Sequence, residues 1–388
     1  MTTTAPAPGA GASKVEIRRG LMGVYFDRSD SCFIDGTIGK LLYRGYDIHE
    51  LAEESTFEEV VYLLLNGKLP ARRELDAFDK QLRSDRDIPD DVLDIINKVK
   101  NGHPMDVLRT AVSALSAYDP EVKDNSEAAI IRKGLRLTAK APTIVAAHEH
   151  LRKGKNPVKP NAQLNHAGNF LYMLSGKMPS EEEMHIMDVD FILHAEHGAN
   201  ASAFASRVAA STQTDLHSAV VAGIATLKGP AHGGAAEEVM KMAEAIGKPE
   251  NAESYARNIL DNGGRVMGFG HRVYKAEDPR ARHMRDRSRT LGISKGQPQW
   301  FEILTKLQEV MKPYQSRGIY VNVDFYAGSV YYLMGIPDDL FISIFALGRI
   351  PGWTLNVAEQ YRSNILIRPL TDYSGPMDLK YVPLSQRG

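Results

Sequence analysis

His232 and His271 both lie in glycine-marked turns and have the setting of groups that move protons. His232 is in Gly229-Pro230-Ala231-His232-Gly233-Gly234, and His271 is in Gly268-Phe269-Gly270-His271-Arg272-Val273-Tyr274, with Asp278-Pro279-Arg280 just downstream. Asp324 stands in Val321-Asn322-Val323-Asp324-Phe325-Tyr326. Glycine allows tight backbone paths and close approach to a ligand, so a titratable neighbour is held yet reachable. Two imidazoles and a carboxylate in such settings suggest acid–base chemistry.

Arginines add a second theme. Arg280 is fixed by a proline turn, Arg349 interrupts an apolar helix end in Leu347-Gly348-Arg349-Ile350-Pro351-Gly352-Trp353, and Arg368 follows Ile365-Leu366-Ile367. An arginine in apolar surroundings needs an anion. That anion is either a structural carboxylate or a ligand carboxylate gripped by the planar fork. Three such arginines beside histidines point to a small dianion. Arg282, Arg285, Arg287 and Arg289 read as a solvated helix face around Asp286.

His194-Ala195-Glu196-His197 places two imidazoles three apart, on one face if the segment is helical. That spacing leaves a His-based metal hydrolase as an alternative, but no third protein ligand is identifiable, so no metal is expected. His197, before Gly198 and Asn200-Ala201-Ser202, reads as a ligand-binding side chain or a helix-end histidine. Gly268-x-Gly270 lacks a preceding strand and a third glycine, so it is no dinucleotide fingerprint. A backbone loop against a phosphate or thioester fits it better.

These residues must be positioned by helices. Apolar residues recur at helical spacing through most of the chain, with capping boxes at Thr56-Glu59 and Ser180-Glu183 and stops at Asp119-Pro120, Gly229-Pro230 and Gly247. Strand signals are few: Val24-Tyr25-Phe26 and Cys32-Phe33-Ile34. No β–α alternation is present, which excludes a doubly wound sheet or barrel. The expected fold is all-α, with at most short N-terminal strands. The 388 residues favour two domains, and 43% hydrophobic with 24% charged residues is ordinary for a globular protein. A net charge of −1 argues against a nucleic-acid partner. One cysteine, Cys32, excludes an intramolecular disulfide and fits a reducing compartment. No apolar run approaches the ~20 residues that a membrane span needs. Residues 1–14 read as a disordered tail, without a secretion or transit signal, and a cytoplasmic location is expected.

Tyr43-Arg44-Gly45-Tyr46-Asp47-Ile48, His103-Pro104-Met105-Asp106, the two histidine loops through Lys275, and Asn322-Val323-Asp324-Phe325-Tyr326 together resemble the citrate synthase family, in matching order from about Arg18 through Pro376. The resemblance implies an all-helical homodimer of the tricarboxylic acid cycle. Each subunit would have a large domain (15–232 and 329–388) and a small one (233–328). It implies condensation of acetyl-CoA with oxaloacetate, or of propionyl-CoA in the 2-methylcitrate synthases, with CoA as co-substrate and no tightly bound cofactor. Asp324, His232 and His271 would be catalytic. His197, Arg280, Arg349 and, from the other subunit, Arg368 would hold oxaloacetate. Arg265, Val266, Met267, Gly268 and Lys275 would face CoA. Ala236 stands where the family commonly has Asn, which removes a hydrogen-bonding side chain near His232. Ala203 stands where Thr is often seen, and Gly348 precedes Arg349.

Overall fold

The computed structural model describes residues 16–387, so the expected tail lies outside the described residues. Ser29–Leu366 form one compact unit, and the segments flanking it, through Arg28 and from Ile367, form another. Among the described residues there are sixteen α-helices and three short strands. The helices are α1 Ile48–Glu54, α2 Phe57–Asn66, α3 Arg72–Ser84, α4 Asp90–Lys98, α5 Pro104–Leu115, α6 Glu127–Arg152, α7 His166–Ser175 and α8 Glu181–His194. They continue with α9 Ala201–Ser211, α10 Leu216–Leu227, α11 Ala235–Ile246, α12 Ala252–Asp261, α13 Ala281–Ser294, α14 Gln299–Met311, α15 Asp324–Leu333 and α16 Phe341–Arg362. The all-helical expectation holds.

The helix starts follow their caps. Ser180 and Glu183 complete a reciprocal capping box on α8. Thr56 accepts from Glu59 N, but the Glu59 carboxylate turns to Ser55 Oγ at 3.0 Å, so that box is half made. Asn200 caps α9 by accepting from the backbone of Ser202 and Ala203.

Three expectations need correction. Val24-Tyr25-Phe26 is no strand: Tyr25 is 98% exposed, and the segment belongs to none of the three strands of the sheet. The strands are instead β1 Cys32–Asp35, paired antiparallel with β2 Lys40–Tyr43, which pairs with the two-residue β3 Tyr46–Asp47. Second, Arg349 does not mark a helix end. Helix α16 runs through Pro351 to Arg362, with its body buried against α6, α8, α9 and α10. The packing holds a helix that Pro351 alone would break. By length and composition this helix could cross a membrane, yet its apolar stretch is buried inside the protein. Third, α8 stops at His194, so His194 and His197 do not share a helix face.

The tip of the β1–β2 hairpin lies against residues 273–277. Lys275 N donates to Gly36 O at 2.7 Å. A Cβ on Gly36 would fall 2.3 Å from Val273 O, and one on Gly39 (φ +68°) would fall 2.5 Å from Glu277 O. Both positions therefore require glycine.

Candidate active site

The loop carrying His271 is fastened to the segment that leads into Asp324. Gly270 N donates to Tyr320 O at 2.7 Å, Asn322 N to Gly268 O at 3.0 Å, and Asn322 Nδ2 to Gly270 O at 3.1 Å. Phe269 and Val321 form an isolated antiparallel bridge. Gly268 (φ +79°) leaves no room for a side chain, since a Cβ would lie 2.6 Å from the Phe325 ring. Residues fifty or more positions apart are thus set in one frame.

Backbone contacts fix the tautomer of His271. Its Nδ1 accepts from Val273 N at 3.0 Å and Tyr274 N at 3.2 Å, so Nδ1 carries no hydrogen and the neutral ring presents Nε2–H. Burial, then the nearby Arg280, lowers its pKa to about 4. His197 stands beside it. The two ring centroids are 5.2 Å apart, and His197 Nε2 is hydrogen-bonded to Tyr274 Oη at 3.1 Å. His197 is buried, and burial followed by Arg280 puts its pKa well below the ordinary value.

His232 is fixed in the mirror sense. Its Nε2 accepts from Ser202 N at 3.2 Å, in the first turn of α9, and lies 2.9 Å from Ser202 Oγ. The ring's hydrogen therefore sits on Nδ1. Burial, then Arg349, lowers His232 to about 4. Trp353 Nε1 and Asn200 Oδ1 anchor Ser202 Oγ. Ser202 thus supplies the orienting contact that an Asn at Ala236 was expected to give. Ala236 is buried, and its carbonyl lies 2.5 Å from where a Cβ on Gly328 would stand. Ala203 is fully buried in the same first turn of α9.

Asp324 is the first residue of α15. Its half-buried carboxylate has no hydrogen-bond partner among the described residues. Burial pushes its pKa up to about 6, opposed by His194 and Arg280. A carboxylate that titrates near neutrality and has no partner of its own is suited to be a general base.

The arginines behave differently from one another. Arg280 is buried and forms a fork with Asp278, through Nε at 2.9 Å and Nη2 at 2.7 Å. Both readings of Arg280 meet here, because the pair leaves Nη1 without a hydrogen bond among the described residues. Asp278 also accepts from Val323 N at 3.4 Å, next to Asp324. Arg349 is 1% exposed, donates from Nε to His194 O and lies 4.8 Å from the Phe345 ring centroid. Its terminal nitrogens make no hydrogen bond and no ion pair among the described residues. Burying a cation this way is costly unless an anion arrives. Arg349 acts on His232 and His197, and Arg280 acts on His271, His197 and Asp324, so the six groups share one electrostatic neighbourhood. Arg368 is exposed and belongs to the other compact unit.

Of the expected CoA residues, Arg265 and Lys275 are exposed, Met267 is half-buried, and Val266 and Gly268 are buried. His194 is bound within its own helix, Nδ1 to Asp190 O at 2.8 Å. Among the described residues no group of three His, Cys, Asp or Glu could hold a metal ion. Of the remaining basic run, Arg282 and Arg289 are exposed, while Arg285 is half-buried, pairs with Glu277 and lies over the Tyr326 ring. Sequence reasoning missed Ser202, Tyr274, Trp353 and the Arg280 partner Asp278 as site-building residues. All four stood in quoted segments, but nothing local to Ser202 or Trp353 pointed to the partner each would meet.

The family model "Citrate synthase, C-terminal domain" matches residues 20–370. A citrate synthase of Haloferax volcanii is 44% identical over 96% of this chain and 99% of its own length. A 2-methylcitrate synthase of Corynebacterium glutamicum is 39% identical over 97% and 100%. The crystal structure of citrate synthase from Pyrobaculum aerophilum superimposes with a TM-score of 0.92 at 40% identity, covering 100% of both chains. A ternary complex of carboxymethyl coenzyme A and oxaloacetate with citrate synthase from Thermoplasma acidophilum gives 0.91 at 32% identity, covering 96% of this chain and 100% of that one.

Proposed function

This chain belongs to the citrate synthase family, and from that premise we propose that it condenses acetyl-CoA with oxaloacetate and water to give citrate and CoA. The observation that carries the mechanism is the pair of opposed tautomers beside an unpaired carboxylate. Asp324 takes a proton from the acetyl methyl. His232, through Nδ1–H, hydrogen-bonds the thioester oxygen as it becomes an enol or enolate. His271, through Nε2–H, polarises the ketone of oxaloacetate while the new carbon–carbon bond forms. Water then hydrolyses citryl-CoA. A methyl beside a thioester is a weak acid, and one placed base contributes only ~10²–10⁴-fold, so the three groups act together with electrostatic stabilisation.

His197, Arg280 and Arg349 hold the oxaloacetate carboxylates, joined by Arg368 from a second copy of the chain. Exposed apolar residues along the C-terminal segment (Ile365, Leu366, Leu370, Met377, Leu379 and Leu384) support docking of that segment on another subunit. Residues 15–232 and 329–388 form the large domain and 233–328 the small one, whose closure excludes water. CoA lies along the backbone from Arg265 to Gly268 with Lys275 near a phosphate, and no tightly bound cofactor takes part. We place the enzyme in the cytoplasm.

A thiol-release assay with oxaloacetate and either acyl-CoA tests the reading. A higher kcat/KM for acetyl-CoA is expected. One methyl group is worth only ~1–3 kcal/mol, so a preference for propionyl-CoA would make the enzyme a 2-methylcitrate synthase, and no thiol release from either would end the proposal.

A further inference from the structure

We propose that Glu196 is a positioning residue that sets the charge of the oxaloacetate pocket, and that oxaloacetate binding is coupled to proton uptake by its carboxyl group; this rests on the function proposed above. Glu196 is 0% exposed, immediately before His197. Its backbone is locked by Tyr43, whose Oη donates to Glu196 O at 2.8 Å and accepts from Glu196 N at 3.2 Å. The carboxylate is poorly satisfied. Oε2 accepts one bond, from Asn356 Nδ2 at 3.1 Å, and Oε1 has no partner.

Glycine at position 352 makes the room for this carboxylate. A Cβ there would stand 2.4 Å from Glu196 Oε2, 2.2 Å from Ala195 O and 3.2 Å from Arg349 Cδ. The Glu196 carboxylate and the Arg349 stem therefore flank one bare patch of α16, yet they form no contact ion pair. Each is a buried charge near, but not on, its opposite.

The other charged and titratable groups around Glu196 are already settled. Glu359 has its own partners in Ser29 Oγ at 2.9 Å and Arg207 Nη1 at 3.3 Å. Burial pushes Cys32 and Tyr43 far above neutrality, so both stay protonated. His197 is neutral, Arg280 is held by Asp278, and His194 is bonded to Asp190. Glu196 remains. Burial raises it to about 7, while Arg349 pulls in the opposite direction. A dianion arriving on Arg349 takes up that cation's field and adds like charge, and both effects drive the carboxylate to its neutral form.

Oxaloacetate binding to the intact enzyme should be followed by titration calorimetry at pH 8 in two buffers of different ionisation heat. Uptake close to one proton per site is expected, with Kd weakening by up to about tenfold between pH 7 and pH 8. Glu196→Gln should abolish the uptake and flatten the pH dependence. Asn356→Leu, which removes the one donor to the carboxylate, should move the onset of weakening to higher pH. Binding by the native enzyme without proton uptake overturns the proposal. So does uptake that persists in Glu196→Gln, which would assign the proton to Asp324, His197 or His271. Failure to bind oxaloacetate at all would instead count against the proposed function.

Discussion

Replacing Asp324 by Asn should give an enzyme that is more stable at neutral pH and no longer turns over. The carboxyl sits at about 6 in the fold against an ordinary value of 3.8. A carboxyl raised by folding favours the native state while it is protonated. That advantage is whole below about pH 4 and is lost as pH rises through 6. At ~1.4 kcal/mol per pH unit, the ionised Asp324 costs the fold up to roughly 3 kcal/mol at pH 7.5, and less for its solvated edge. The isosteric amide carries no such penalty. Denaturant unfolding at pH 7.5 should therefore show the variant ahead by roughly 1–3 kcal/mol, with the gap closing by pH 4. Thiol release should fall by ~10²–10⁴-fold, while oxaloacetate binding stays mostly intact. Near-normal activity would refute the base assignment. A variant less stable at pH 7.5, with a gap that ignores pH, would refute the burial argument.

Asp278→Asn should cost ~3–5 kcal/mol at neutral pH, because it strands a buried guanidinium. Arg280 holds the Asp278 carboxyl below its ordinary value, so the deficit relative to the native enzyme should close only as pH falls below the usual carboxylate range; unfolding midpoints at pH 7 and pH 3 check this. Gly36→Ala puts a Cβ 2.3 Å from Val273 O, and the Val273 N–H is one of the two that set the His271 tautomer. Steady-state kinetics should show a lower kcat, with thermal stability reduced by ~1–3 kcal/mol. An unchanged kcat would mean the hairpin tip plays no part in holding the loop. Finally, inactive Asp324→Ala and Arg368→Ala chains, mixed under conditions of subunit exchange, should recover part of the activity. Confirmed heterodimers without recovery would return Arg368 to its own subunit.

What the sequence revealed was local chemistry, and what it hid was distant partnership. Helix existence could be read from apolar spacing and caps, because both act within a few residues. His232 and His271 could be read because their glycine-marked turns are short and unusual. Ser202, by contrast, orients His232 from thirty positions away, and Trp353 anchors Ser202 from much farther along the chain. No pattern in either segment announces the other. The continuation of α16 past Pro351 failed for a related reason. Local propensity says stop, while the surrounding helices bury the segment and hold it in place. The His194–His197 spacing misled because it assumed a helix that ends at its first member.

On the proposed reading, the two arginines do more than grip a substrate. Before substrate binds, burial, reinforced by Arg349 at His232 and by Arg280 at His271, holds both imidazoles neutral, and His194 and Arg280 keep Asp324 a weaker base than its burial alone would make it. Once a dianion occupies Arg280, the field of that cation at Asp324 is largely cancelled, and the carboxylate becomes more basic. The proton acceptor for the acetyl methyl therefore strengthens only after oxaloacetate is in place. Acetyl-CoA arriving first meets a weaker base, no electrophile and an open site. The same cations that select the first substrate thereby withhold reaction from the second until both are present, which protects the thioester from unproductive enolisation and hydrolysis.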